Sequence, residues 1–438
     1  MPIIRTYCYI APVLVFFLSL ATGCDKDHVD TPLPPHMDKI VVKPDGSGDY
    51  STIQAAVDAA EDGQWIDLYE GRFSGSGNRN INLRGKAITI FGVTRPTQVV
   101  IDCEGLGRAF ICQSGGGTSI WNVDIVNGFA DRGGAVFCDS SSSPSFLLCS
   151  FSFNVATNQG GVCYAGAGCS PRFSDCEFRR NSAPLGGVLY CTNASPVLSG
   201  SSFVDNVGTH GASIYCLSSD STIALTLSGC RFSGNAASVE GGAVWCRGAS
   251  LLLTSCVFTG NSALAAGGGL LCLSSARPTL ESCTFSNNYS TRGGGAVWCS
   301  NETVSTFISC TFYGNSAAFG GALYLNEPTV FSWLDRCVVA FCPKGEAVFI
   351  TGSGLAVLNC CDLYGNAGGD WIGSYASQLG VRGNVSKDPL FCSPESGDFR
   401  LLPESPCGSD STGCGNMGAW PVGCESQSYP ETYAANPR

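Results

Sequence analysis

Residues 230–246 read Cys-Arg-Phe-Ser-Gly-Asn-Ala-Ala-Ser-Val-Glu-Gly-Gly-Ala-Val-Trp-Cys, and variants of this stretch recur between residues 128 and 366. The unit is Cys-x-Phe-x-x-Asn, then a short loop, then Gly-Gly-Ala followed by a hydrophobic residue, an aromatic residue and cysteine. One unit spans 25 to 29 residues, as measured between the asparagines Asn154, Asn181, Asn206, Asn235, Asn261, Asn288 and Asn315. Repetition at such a period is typical of solenoids, in which each repeat stacks on its neighbours.

The repeat has the pattern of β-strands. In Cys-x-Phe the two apolar side chains fall on one face, because successive strand residues point to opposite sides. The leucine-asparagine consensus of a leucine-rich repeat is missing, and the glycine-rich segments lack the 3.6-residue period of a helix. Strands that pair with their equivalents one period away form a parallel coil, and parallel crossovers are right-handed. We therefore predict an all-β chain, a single-stranded right-handed parallel β-helix of about a dozen coils over residues 40–390.

Both ends of this β-helix carry predicted caps. Residues 51–54, Ser-Thr-Ile-Gln, form a capping-box pattern, and apolar residues follow at helical spacing, so we expect a helix over the first coil. Residues 391–424 are rich in Pro, Gly and Ser and form the predicted C-terminal cap. Cysteines in this cap lie off the repeat and are the best disulfide candidates, with three possible pairings among Cys392, Cys407, Cys414 and Cys424.

Stacking of the coils places equivalent residues in columns. The residues two and four positions after the second glycine are apolar, and we expect them to point inward. The fourth position is usually cysteine but is also Ala165 and Leu325, which favours packing, since a reactive or ligating thiol would not accept leucine. We interpret these cysteines mainly as buried free thiols, with disulfides between neighbouring coils as the alternative. The asparagines are predicted to be structural, because asparagine tolerates left-handed backbone and can bond along a stack.

The residue three positions after the second glycine alternates with the inward pair and is predicted to face solvent. It is aromatic in seven of eight coils, the exception being Leu271. Aromatic rings repeated along a flat sheet can stack on sugar rings or anchor a protein partner. The alternative is a ladder that only strengthens the sheet, or one covered by loops. The candidate ligand-binding residues are Phe137, Tyr164, Tyr190, Tyr215, Trp245, Trp298 and Tyr324.

The first residues have the features of an export signal. Arg5 precedes an apolar run at residues 10–20 that is too short to span a bilayer, and small residues lead to Cys24. This pattern resembles the lipobox of bacterial lipoproteins, although Ala21 stands where that family prefers leucine. The resemblance implies that residues 1–23 are cleaved and that Cys24 is lipidated, with ordinary signal-peptide cleavage as the alternative. Residues 24–39 would then form a Pro-rich tether and residues 425–438 a disordered tail.

Composition and motifs argue against several classes of function. The net charge is −11 and no Lys/Arg run occurs, so nucleic acid is not expected as a partner. Histidine occurs three times and no Cys-x-x-Cys pair is found, so neither a metal site nor a cofactor is predicted. His210 stands alone in a repeat loop, and the nearby acidic residues Asp175, Asp205 and Asp220 fall at unequal repeat positions. We therefore predict no catalytic residue.

Two families share motifs with this chain. Residues 232–244 and 312–323, with Phe-x-x-Asn and Gly-Gly-Ala, resemble the repeats of chlamydial polymorphic outer-membrane proteins. That resemblance spans residues 128–366 and implies a right-handed β-helix and a role as a surface adhesin. Residues 45–57 resemble the opening of pectin methylesterases, which belong to the pectate-lyase-like superfamily, but the segments that carry their catalytic aspartates and arginine are missing. Residues 388–401 resemble a closing element of bacterial β-helix proteins.

These observations together predict a function in binding. We expect a non-catalytic, monomeric protein that is exported to the cell envelope or outer-membrane surface or secreted, and that contacts a membrane only through a lipid anchor. It would be adhesin-like, with a glycan or a host or neighbouring protein as its partner. The first alternative is a polysaccharide lyase or hydrolase of the pectate-lyase-like superfamily, and the second is a rigid structural spacer.

Overall fold

The computed structural model describes residues 39–94, 98–113, 115–220, 223–326, 329–408 and 413–424. The predicted signal peptide, the lipidation site Cys24, nearly all of the tether and the C-terminal tail lie outside these residues. Within the described residues, no helix is long and apolar enough to cross a membrane.

The described chain is an all-β solenoid in which each coil adds one strand to each of several parallel sheets. We name the sheets A to D. Sheet A contains thirteen strands, Lys39–Val42, Trp65–Leu68, Thr89–Gly92, Ser119–Trp121, Ser145–Leu147, Arg172–Ser174, Val197–Ser199, Ala224–Ser228, Ser250–Thr254, Arg277–Glu281, Val304–Ile308, Phe331–Asp335 and Leu355–Asn359. Sheet B contains twelve, Gly71–Phe73, Val99–Asp102, Asp124–Val126, Ser150–Ser152, Glu177–Arg179, Ser202–Val204, Arg231–Ser233, Val257–Thr259, Thr284–Ser286, Thr311–Tyr313, Val338–Ala340 and Asp362–Tyr364.

The other two sheets complete the coils. Sheet C contains eleven strands, Ile81–Asn82, Phe110–Cys112, Val136–Cys138, Cys163–Ala165, Leu189–Thr192, Ile214–Leu217, Val244–Arg247, Leu270–Leu273, Val297–Ser300, Leu323–Asn326 and Val348–Ile350. Sheet D contains seven, Phe129–Arg132, Val155–Gln159, Ser182–Leu185, Val207–His210, Ala236–Glu240, Ser262–Ala263 and Tyr289–Ser290. The predicted parallel solenoid of about a dozen coils is confirmed.

Short turns with left-handed backbone join the strands of each coil. The turn from sheet A to sheet B has a positive φ one residue before the repeat cysteine, as at Asp175 and Ser255. The turn from sheet B to sheet D has a positive φ one residue before the repeat asparagine, as at Phe153 and Asp205. The repeat asparagines themselves do not have a positive φ, so their tolerance of left-handed backbone is not used in these turns. They are needed for the hydrogen bonds that they form inside the stack.

The asparagines form one buried hydrogen-bonded ladder. Asn235 Nδ2 donates to Asn261 Oδ1 at 2.8 Å and to the Phe203 carbonyl at 3.0 Å. Its own Oδ1 accepts from the backbone N–H of Asn206 at 3.0 Å. The same pattern recurs from one coil to the next, so each side chain satisfies buried backbone groups that would otherwise cost free energy. The predicted structural role is confirmed.

The core consists of stacked columns. Phenylalanine rings on the inner face of sheet B stack with centroids 4.4 to 5.3 Å apart, at Phe151, Phe178, Phe203, Phe232, Phe258, Phe285 and Phe312. The repeat cysteines point inward beside them, and twenty cysteines of the described chain are buried free thiols. Burial raises the pKa of the Cys103 and Cys342 thiols to about 12, so these thiols are un-ionised at neutral pH.

The helix Ile53–Ala59 covers the first coil, as predicted. Ile53, Ala56 and Val57 are buried against the solenoid. The N-cap is Thr52, whose Oγ1 accepts from the Ala55 N–H at 3.2 Å. Gln54 takes no part in a capping box, because its side chain bonds to the backbone of Asn82 instead.

The C-terminal end differs from the prediction. The last coil is covered by the 3₁₀ helix Gly373–Gln378, whose Tyr375 is buried in the core. The segment of residues 388–424, which we call the C-terminal segment, contains the antiparallel hairpin Phe391–Ser393 and Asp398–Leu401 and the 3₁₀ turn Pro394–Ser396. It lies along the outer face of sheet B, because that face is apolar at Val338 and Ala340 and would otherwise be exposed.

The disulfides also differ in part from the predicted set. Cys392 bonds to Cys424, which is one of the predicted combinations. Cys414 bonds to Cys360, a residue that precedes the repeat column by one position. Cys407 is a buried free thiol, so its predicted disulfide is wrong. Its Sγ contacts Asp362 Oδ2 at 3.1 Å, and this contact accounts for its burial inside the interface.

Candidate functional site

The predicted aromatic residues lie in register on the outer face of sheet C, one per coil. Phe137 pairs with Tyr164, Tyr164 with Tyr190, Tyr215 with Trp245, and Trp298 with Tyr324. We call this column the aromatic ladder; its members are Phe137, Tyr164, Tyr190, Tyr215, Trp245, Leu271, Trp298 and Tyr324.

The rings of the aromatic ladder stack on one another. Their centroids are 4.1 Å apart for Tyr215 and Trp245 and 4.0 Å apart for Trp298 and Tyr324. The faces of these rings are therefore occupied by neighbouring rings. Trp245 and Trp298 are only 6% and 7% exposed, since they pack in one buried cluster with Ala266 and Leu271. Tyr190 is also buried and the other ladder rings are half-buried, so the column is less exposed than the sequence predicted. Ligand binding by these residues stays a prediction.

Two arginine side chains border the Phe137 end of the ladder. The guanidinium of Arg132 lies 5.7 Å from the Phe137 ring centroid and 5.0 Å from that of Tyr164. The Arg108 guanidinium lies 5.0 Å from Phe137 on its other side. Such cation–π contacts stabilise the outer rings of the stack. The arrangement is one of mutual packing more than of an open platform.

The residues considered for catalysis lie apart. His210 ends a strand of sheet D, half buried, in register with Glu240. Asp175, Asp205 and Asp220 are exposed turn residues, and Asp205 pairs only with Arg180, at 4.0 Å. In the part of the chain that the structure describes, no group of three His, Cys, Asp or Glu side chains could hold a metal ion.

The C-terminal segment creates a cleft that the sequence did not reveal. The cleft has a volume of about 490 Å³ and lies between the outer face of sheet B and this segment. Its floor is formed by side chains of three successive coils, Arg231, Ser233, Val257, Thr259, Thr284, Ser286 and Asn287. Its wall is formed by residues 394–397, Phe399 and Trp420. We call it the sheet B cleft.

Several hydrogen bonds fix the sheet B cleft. Trp420 Nε1 donates to Thr284 Oγ1 at 2.9 Å, which holds the indole over the floor while leaving it 37% exposed. The Ala419 N–H donates to Thr311 Oγ1 at 2.9 Å. The Cys392–Cys424 disulfide ties the hairpin of the wall to the end of the segment. The cleft is therefore pre-formed, so less conformational entropy of the protein would be lost when a ligand binds.

The charges of the cleft are few. Glu395 accepts a hydrogen bond from the Tyr313 hydroxyl at 3.2 Å. Burial, and then this carboxylate, raise the pKa of Tyr313, so the phenol remains a donor at neutral pH. Arg231 is exposed on the floor and forms no ion pair within the described ranges. The hydroxyls of Thr259 and Ser286 lie 3.0 Å apart and form a polar row across two coils.

This combination is suited to a polar ligand with apolar ring faces. An exposed indole, the accessible hydroxyls of Ser233 and Thr259 and the guanidinium of Arg231 provide stacking and hydrogen bonds within a concave surface. No sequence pattern pointed to this site, because Trp420 and Thr284 are 136 residues apart and the C-terminal segment lies outside the repeat.

Comparison with known proteins bears on the handedness of the coil. Residues 214–386 match a family described as a right handed β-helix region. The solenoid is a right-handed parallel β-helix. No curated protein matches the chain.

Solved structures of low similarity resemble this β-helix. Pectate lyase Pel9A is 13% identical with a TM-score of 0.36, covering 89% of this chain and 97% of its own. Pectin methylesterase from carrot is 14% identical with a TM-score of 0.31, covering 82% and 91%. The A-module of the Azotobacter vinelandii mannuronan C-5 epimerase AlgE6 is 15% identical with a TM-score of 0.29, covering 77% and 94%.

Proposed function

We propose that this β-helix is a non-catalytic, exported protein of the cell envelope or surface that binds a polysaccharide, in the manner of an adhesin, through the sheet B cleft. The observation that carries the proposal is the half-exposed indole of Trp420, anchored by Thr284 above a floor of hydroxyl groups. A pyranose ring has an apolar face that stacks on an indole and hydroxyls that bond to serine, threonine and arginine.

The make-up of the cleft favours binding over cleavage. Hydrolysis of a glycosidic bond normally requires two carboxyl groups on opposite sides of that bond. Glu395 is the single carboxylate among the residues that line the cleft, and Tyr313 already donates to it. His210, Asp175, Asp205 and Asp220 are not among the residues that line the cleft.

Export and anchoring form part of the same proposal. The signal at residues 1–23 and the lipid acceptor Cys24 would place the β-helix outside the cytoplasm, with residues 24–39 as a tether. The two disulfides of the C-terminal segment support an oxidising location. A binding protein on a lipid anchor would present the cleft to polysaccharides of the surroundings.

The direct test is retention of the protein on a glycan array and on immobilised polygalacturonate. Trp420→Ala is expected to weaken retention at least tenfold, corresponding to about 1.4 kcal/mol, because the stacking surface is lost. Phe129→Ala is the matched control, since Phe129 is also an exposed aromatic residue, at 46%, but lies on sheet D, away from both the cleft and sheet A. Equal losses in both variants, or binding to no polysaccharide, would refute the proposed site.

The same preparations test the enzyme alternative. The protein is incubated with polygalacturonate and assayed for unsaturated products and for new reducing ends. The proposal predicts neither product above the level of a buffer control. Release of either product, abolished in Arg231→Ala or Glu395→Gln, would identify a lyase or hydrolase instead. Absence of both retention and products would favour the rigid spacer.

A further inference from the structure

The C-terminal part of sheet A has an apolar outer face. The outward positions of its last three strands form an array of nine residues in register. Six of the nine are apolar. These six are Val304, Ile308, Phe331, Trp333, Leu355 and Val357.

This face is open to solvent. Leu355 is 58% exposed, and Val304 and Trp333 are 38% and 37% exposed. Val381, which is 49% exposed, lines a groove together with Val357 at the end of the array. A contiguous exposed apolar surface on a soluble protein usually marks an interaction site. The described part of the C-terminal segment packs on sheet B, not on this array.

Two residues of opposite charge lie at the two ends of the strand that precedes this array in sheet A. Arg277 and Glu281 are both exposed, at the first and last positions of strand Arg277–Glu281. They are about 13 Å apart along the strand, too far for a direct ion pair. Neither of them forms an ion pair with any other described residue. Thr279 lies midway between them, in a central column with Thr306, Trp333 and Val357.

We propose that two copies of the chain associate through this face, about a two-fold axis parallel to the direction of stacking. Such an axis runs along the central column and reverses the strand direction of the partner. Arg277 of each copy then faces Glu281 of the partner, while the Trp333 columns meet at the centre. A self-complementary patch of this kind is what an isologous dimer requires. The inference departs from the monomer that the sequence predicts, and it does not depend on the polysaccharide cleft.

The dimensions of the face set the strength of association. Four strands spaced about 4.8 Å apart, each about 15 to 20 Å long, give a footprint of roughly 300 to 400 Å² per copy. Stable dimers bury about 800 Å² per partner, so the dimer is expected to be weak and to depend on protein concentration.

Sedimentation velocity over a range from about 1 μM to 1 mM tests the dimer. We expect the weight-average sedimentation coefficient to rise from that of one copy toward that of two. Leu355→Ser and Trp333→Ser should abolish the rise. Leu264→Ser, at a 62% exposed leucine outside sheet A, is the matched control and should leave it unchanged.

Charge reversal tests the geometry of the pairing. Arg277→Glu and Glu281→Arg should each weaken association at least fivefold, and the double variant should restore it, because the reversed charges again face each other. Circular dichroism of every variant verifies folding. A sedimentation coefficient that is independent of concentration would overturn the proposal. An equal effect of Leu264→Ser, or a double variant weaker than both single variants, would also overturn it.

Discussion

Asp362 and Cys407 form a buried pair between the last strand of sheet B and the C-terminal segment. Asp362 is fully buried, and its Oδ1 accepts from the Lys387 N–H at 3.0 Å while its Oδ2 accepts from the Cys407 thiol at 3.1 Å. Burial raises the pKa of Asp362 to about 7, because desolvation outweighs these two donors. The fold therefore favours the protonated form of this carboxyl group.

A pH dependence of stability follows from this pair. The pKa of Asp362 in the unfolded chain is about 3.9, so its contribution is fully present below about pH 4 and is lost as pH rises through 7. We expect the protein to be more stable at pH 5 than at pH 8, and Asp362→Asn to reduce that difference by about 1 to 3 kcal/mol. Urea unfolding at both pH values measures it. An unchanged difference in Asp362→Asn would assign the pH dependence to other groups.

Residue identity in the repeat was predictable, because each position meets the same surroundings in every coil. The inward cysteines and the asparagine ladder followed from this recurrence. Cys360 was not identified as a disulfide partner because it stands next to the repeat cysteine Cys361, and sequence spacing cannot show which of two neighbours points outward. Cys407 was wrongly predicted to form a disulfide. Its hydrogen-bond partner, Asp362, lies in the repeat region, and the cysteine spacing of the C-terminal segment cannot reveal such a partner.

The aromatic ladder shows how a column of side chains can become an element of its own. Four consecutive ring pairs stack from Phe137 to Trp245, with interplanar angles of 5° to 8°. Leu271 interrupts the column, and stacking resumes between Trp298 and Tyr324. Because neighbouring rings occupy the faces, the main contribution of the ladder is to packing between coils.

Replacement of one ladder ring tests this interpretation. Trp298→Ala is expected to lower the free energy of unfolding by about 3 kcal/mol, since it removes a buried ring stacked at 4.0 Å on Tyr324. Retention on polysaccharide should be unchanged. Trp333→Ala, at an exposed site, should cost less than about 1 kcal/mol at low protein concentration. Lost retention with unchanged unfolding would instead assign ligand contact to the ladder.

At the level of elements, the strands and columns of the repeat were predictable from the sequence, whereas the path of the non-repetitive C-terminal segment was not. The period gave the sheets and the inward columns, because stacking makes each coil a copy of its neighbour. The path of the C-terminal segment depends on single contacts, such as those of Ala419 with Thr311 and of Trp420 with Thr284. Single contacts of this kind leave no periodic pattern in the sequence. The C-terminal segment was therefore predicted to cover the end of the β-helix, and the sheet B cleft was not predicted.

In the whole β-helix, three sheets carry three different outer surfaces. Sheet C carries the aromatic ladder, sheet B the cleft under the C-terminal segment, and sheet A the apolar face. Since the cleft and the apolar face lie on separate sheets, association through sheet A would leave the cleft of each copy free. Two clefts in one assembly would bind a long polysaccharide more tightly than one, by raising the effective concentration of the second site.

The most direct test of the account is hydrogen–deuterium exchange of the protein with and without a retained polysaccharide. Binding in the sheet B cleft should confine protection to residues 231–233, 257–259, 284–287, 394–399 and the segment that contains Trp420. Trp420→Ala should remove that protection. Protection confined to the strands of sheet C that carry the aromatic ladder, or to sheet A, would contradict it.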